Sequence, residues 1–156
     1  MGMLYAAVVD NKAVTGAVDL FEVTTVGTRP LLLHGLRVWQ TTDLGDAAEE
    51  VLRIGIYRGS TAGSGGTAIT EVKYNDGSDQ PTNDTAVVEY MTGGTSSTSG
   101  TLIDIISWNI RIPLTEIWTP EMRIRVDSND DPISFRFIAA PADSITMGAV
   151  LIWEEL

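Results

Sequence analysis

The chain has 156 residues, 44% of them apolar, with 21 acidic against 10 basic side chains, a net charge of −11 and no cysteine. That length suits one domain burying roughly two thirds of its unfolded surface, and the apolar content is too high for a disordered chain. The charge argues against a nucleic-acid partner, whose phosphates need a basic footprint. The missing thiols rule out disulfides, thiol catalysis and thiolate metal sites.

In chain order, residues 1–17 read as an extended N-terminal arm ahead of one domain over 18–156. The opening Met1-Gly-Met-Leu-Tyr-Ala-Ala-Val-Val-Asp10 lacks a basic leader, so a signal peptide is not expected, and Ala6 breaks the myristoylation pattern. No apolar run has the length of a membrane span. A soluble chain made in the cytoplasm, with no membrane partner, is the expectation.

The dominant period is two. Leu36 and Val38 share one face while Arg37 and Trp39 share the other; Leu52, Ile54 and Ile56 alternate with Arg53 and Tyr57. Met122–Val126 and Ile133–Phe137 repeat the pattern. Strands are expected near 3–9, 18–25, 30–41, 50–58, 67–74, 85–91, 101–112, 121–127, 132–139 and 144–154. Turn signals separate them: Asn75-Asp-Gly77, Gly93-Gly94 and Asp127–Pro132. Helix is confined to one turn near 43–50, with Asp46 as cap. An all-β sandwich of jelly-roll type follows.

Two segments, Arg58-Gly-Ser-Thr-Ala-Gly-Ser-Gly-Gly66 and Thr92-Gly-Gly-Thr-Ser-Ser-Thr-Ser-Gly-Thr101, are rich in glycine and serine. A phosphate loop needs a Lys before Ser/Thr and a helix after it; neither is present, so both read as strand connections. His34 alternates with Leu32, Leu36 and Val38 and is expected to point inward. One histidine cannot furnish the several ligands of a jelly-roll metal centre. Asp127-Ser-Asn-Asp-Asp131 has oxygens at alternate positions, as a calcium loop begins, but Pro132 stands where glycine is needed and Ile138 where the bidentate Glu belongs. Glu49–Glu50 and Glu154–Glu155 are sequence neighbours that face opposite ways on a strand, which makes no acid/base pair. No catalytic, cofactor or metal residue is expected.

Spare hydrophobicity is the stronger signal. Residues 144–154 should bury Ile145, Met147, Leu151 and Trp153, leaving Val150 and Ile152 outward. Residues 101–112 should bury Ile106, Trp108, Ile110 and Ile112, leaving Ile103 and Ile105 outward. Apolar residues at outward positions suggest either subunit contacts or cover by another strand or the N-terminal arm of the same chain. Six of the ten basic residues, Arg37, Arg53, Arg111, Arg123, Arg125 and Arg136, fall on outward strand positions, as an arginine-studded sheet face within an acidic rim would require. Trp39, Tyr57 and Trp118 could instead form an exposed aromatic strip, the device by which a non-catalytic carbohydrate-binding module stacks sugars.

Asp19-Leu-Phe-Glu-Val-Thr24, Thr42–Ile54, Arg58–Gly66 and the closing Ser144–Glu155 resemble small virion proteins of tailed phages and prophages, of the kind that decorate or cement capsids. The resemblance runs from about residue 18 to the end and carries no catalytic residue. It implies a trimeric β-sandwich on the capsid surface, partnered by the major capsid protein, with the arm and loops free for contacts.

Overall fold

The structure, a computed structural model, describes residues 3–27, 29–42, 50–75, 85–127 and 132–156. These hold twelve strands and no helix: β1 (Met3–Val14), β2 (Asp19–Thr25), β3 (Leu31–Gln40), β4 (Val51–Arg58), β5 (Thr67–Ile69), β6 (Val72–Lys73), β7 (Thr85–Glu89), β8 (Thr101–Asn109), β9 (Leu114–Ile117), β10 (Ile124–Val126), β11 (Ile133–Phe137) and β12 (Ile145–Glu155). Sheet I runs β6-β1-β12-β3, with β9 and β10 sharing the far edge of β3; sheet II runs β5-β7-β2-β11-β4-β8.

Every named strand pairing is antiparallel, and five of them nest in four levels: β1 with β12, β2 with β11, β3 with β9 and β10, β4 with β8. They fall alternately in sheet I and sheet II, as a long hairpin wrapped round a barrel would place them. The fold is an all-β sandwich of two antiparallel sheets.

The alternation seen in the sequence builds the core. Tyr5, Leu33, Leu36, Leu151 and Trp153 of sheet I meet Phe21, Ile54, Ile56, Ile133 and Phe135 of sheet II, all with no exposed surface. Each such side chain contributes about 1.5–3 kcal/mol by leaving water. Aromatic pairs add to the packing within sheet I, where the Tyr5 and Trp153 ring centroids are 6.2 Å apart, and between Trp118 and Phe135 of sheet II, at 6.3 Å.

Four expectations need correction. In place of a free arm, Met3–Val14 pairs with β12 from Met3↔Glu155 to Val14↔Ile145, because Tyr5, Ala7 and Val9 present an apolar face that must be covered. The strand expected over 67–74 splits, β5 joining sheet II and β6 sheet I. The strand expected to run to 112 stops at Asn109, so Ile112 is exposed while Ile106, Trp108 and Ile110 are buried. Only 124–126 of the stretch 121–127 is strand, which leaves Met122 exposed. Of the helical turn expected near 43–50 all but Glu50, of the Asn75-Asp-Gly77 turn all but Asn75, and residues 128–131 lie outside the described residues.

Candidate functional site

Over β2 and β11 the outer face of sheet II is covered by the chain itself. The two glycine/serine segments pair with each other: Thr61 and Thr98 exchange N–H···O bonds of 2.8 and 3.0 Å, and Ser64 and Thr95 exchange bonds of 2.9 and 2.8 Å. Glycine is required at the crossing points. A Cβ on Gly63 would lie 2.5 Å from the Thr95 carbonyl oxygen, and Gly94 has φ +82 with its virtual Cβ 2.6 Å from the Ser64 oxygen.

Beneath this ribbon lies a polar cluster the sequence did not announce. Asp19, fully buried at the start of β2, accepts a bond from Arg136 Nε (3.0 Å) at one oxygen and from the Ser97 N–H (2.9 Å) at the other. Arg136 also donates to Ser97 Oγ (2.8 Å), which bonds Ser134 Oγ (2.6 Å), and its guanidinium sits 4.5 Å from the centroid of the Tyr57 ring. Glu22 accepts the Gly63 N–H (2.8 Å) and the Tyr90 hydroxyl (3.4 Å). Each segment of the ribbon is thus tied to sheet II by a buried carboxylate.

Burial pushes the Glu22 carboxyl above its usual value, and Asp19 adds to that; the Gly63 N–H, the Tyr90 hydroxyl and Arg136 pull the other way. Tyr90 is pushed up to about 12, by burial and then by Glu22 and Asp19. Glu89 behaves in the opposite sense. Burial raises it, but bonds from the Thr92 hydroxyl and Met91 N–H, with Lys12 3.3 Å away, hold it below the ordinary carboxylate range. Asp19 and Arg136 neutralise each other under cover, so the chemistry of this cluster is that of a clamp.

Sheet I is the reverse. Its outer face carries an apolar stripe running across the strands: Val72, Ala6, Ile152, Gly35 and Ile117 occupy successive positions on β6, β1, β12, β3 and β9. Val8, Val150 and Arg37 form the next row. Val8, Val72 and Ile117 are exposed by about half or more of their surface, at 48%, 49% and 66%. Trp39 lies flat against Gly148, where any Cβ would meet its indole at 2.4 Å.

The candidate association residues divide between these regions. Val150 and Ile152 sit on the outer face of sheet I, Val150 half-buried and Ile152 nearly covered. Ile103 and Ile105 are exposed on β8, the margin of sheet II. The arginines do not make one face. Arg37 and Arg125 lie on sheet I, Arg125 paired with Asp127; Arg53 is exposed on sheet II. Arg111 and Arg123 fall outside the strands, Arg123 with a buried Nε, and Arg136 is under the ribbon. His34 points outward, not inward, and bonds Glu154 at 3.0 Å. A bulge opposite Ile152 and Trp153 inserts one residue between Leu33 and Leu36, which shifts the alternation there.

Among the described residues no helix is long and apolar enough to cross a membrane, and no group of three His, Asp or Glu is placed to hold a metal. Comparison with family models, curated proteins and solved structures returned no match.

Proposed function

We propose that this protein is a self-associating structural component that decorates and stabilises a phage capsid, through contacts with its own copies and with the major capsid protein. The observation that carries the self-association is the apolar stripe across sheet I, whose Val8, Val72 and Ile117 stand in solvent while the polar outer face of sheet II is covered. Large exposed apolar patches mark contact surfaces. The capsid setting rests on the resemblance of 18–156 to phage decoration proteins, and the charge of −11 suits a protein kept soluble at high copy number. A trimer on the virion is the arrangement this reading favours.

The carbohydrate-binding alternative needs ring faces open in a row. Trp39 rests on Gly148, Tyr57 lies under Arg136, and Trp118 is buried. Those three rings are already engaged, so the structural role is preferred. Gel densitometry of purified virions should show this chain at a level comparable with the major capsid protein. Absence from particles rejects the capsid role, and retention on a glycan array would favour the sugar-binding one.

A further inference from the structure

We infer that copies of this chain join head to tail, the β8 margin of one seated on the outer face of sheet I of the next, closing a ring. This deepens the self-association proposed above and does not depend on the virion setting.

Both surfaces are apolar, and exposed side chains of opposite charge, Asp104 and Arg37, stand within them. On β8, which pairs only with β4 among the described residues, Leu102, Ile103 and Ile105 are exposed at 43%, 42% and 39% around Asp104. One Asp104 oxygen accepts the Ile105 N–H at 2.8 Å, which leaves the other for a partner. On sheet I, Arg37 stands exposed beside Val150 and within a row of Ile152, and it has no ion-pair partner among the described residues.

The charges select the geometry. Packing sheet I on sheet I about a two-fold axis near Arg37 would bring Arg37 toward Arg37, and pairing β8 with β8 about an axis near Asp104 would bring Asp104 toward Asp104. Like charges across an interface cost several kcal/mol, whereas the mixed contact sets Asp104 against Arg37. A contact between two different patches closes into a ring when its rotation permits.

A second copy explains why this face can stay apolar in a chain with 21 acidic residues.

The test uses the absence of native cysteine. Under mild oxidation the full chain carrying both Asp104→Cys and Arg37→Cys should give covalent species of three or more copies on a non-reducing gel. Either single variant alone should stay uncrosslinked. Efficient disulfide dimers from Asp104→Cys alone, or from Arg37→Cys alone, would overturn the inference in favour of a two-fold contact, and no crosslinking of the double variant would also overturn it. In light scattering, Asp104→Arg and Arg37→Asp should each weaken assembly at least tenfold, and the combined charge swap should restore it. A monomeric or dimeric parent, or a swap that stays monomeric with its strand circular-dichroism signal intact, removes the ring. Absence of the protein from virions would leave the ring standing, so the two proposals fail separately.

Discussion

The two outer faces of this sandwich are treated in opposite ways. Sheet II carries buried polar groups, Asp19, Glu22 and Ser134, and the chain uses two glycine-rich segments to cover and satisfy them. Sheet I carries an apolar stripe, and the same chain leaves Val8, Val72 and Ile117 of it open. A protein that needed only its own stability would put polar side chains on the open face. The contrast separates the work of the molecule: sheet II closes a fold, and sheet I offers a surface.

The largest effect should come from breaking the clamp. Arg136→Ala leaves the carboxylate of Asp19, 0% exposed, without its cation and should cost about 3–5 kcal/mol in urea unfolding. Replacing the pair together, Asp19→Asn with Arg136→Met, should cost less than Arg136→Ala alone. Gly94→Ala should cost about 1–3 kcal/mol, since φ +82 and the Ser64 oxygen leave no room for a methyl. Hydrogen exchange should then show the Thr61, Ser64, Thr95 and Thr98 amides losing protection first, while sheet I keeps its own.

On the open face, Ile152→Asp should weaken assembly at least tenfold by light scattering, about 1.4 kcal/mol. Unchanged mass would mean that the stripe is not the contact. A smaller effect concerns pH. Because the folded Glu22 pKa lies above its ordinary value of 4.5, the folded state holds that proton more tightly. Its contribution to stability is therefore full below 4.5 and declines as pH rises through the folded value. Glu22→Gln should remove that decline from urea midpoints measured against pH. Glu89 acts in the other direction, its contribution present above the ordinary range and lost as pH falls through its lowered value. Smallest of all, Arg125→Ser breaks a pair more than half exposed, 57% and 52%, and should change stability by ~0–1 kcal/mol.

The layers were legible because period-two alternation is a direct consequence of strand geometry. Leu52, Ile54 and Ile56, and equally Ile133, Phe135 and Phe137, went to the core as their spacing requires. Legibility failed where one residue was inserted. At His34 a bulge reverses the faces, and no local composition marks it. The strand β9 was missed because Pro113 and Pro120 bracket only a few residues between them. The clamp was hidden for a different reason: Asp19 and Arg136 are 117 residues apart, and each alone looks like a solvated charge. The pairing of the two glycine-rich segments had one signal, their matching composition, which could have suggested partners.

The nesting of the chain has a consequence for its synthesis. The two strands described last, β11 and β12, occupy the interior of sheets II and I, between β2 and β4 and between β1 and β3. Until they emerge from the ribosome, β1 to β4 have only their outer neighbours β6 to β10, and nothing joins β1 to β3 or β2 to β4. At about 5–20 residues per second, the stretch from Arg58 to Ile133 takes on the order of 4–15 s. For that interval both sheets lack their central strand and the apolar side chains that pack on it stay exposed, so the unfinished product is stickier than the finished one. Crowding of such chains on one messenger would favour their entanglement, and slower initiation should raise the soluble yield.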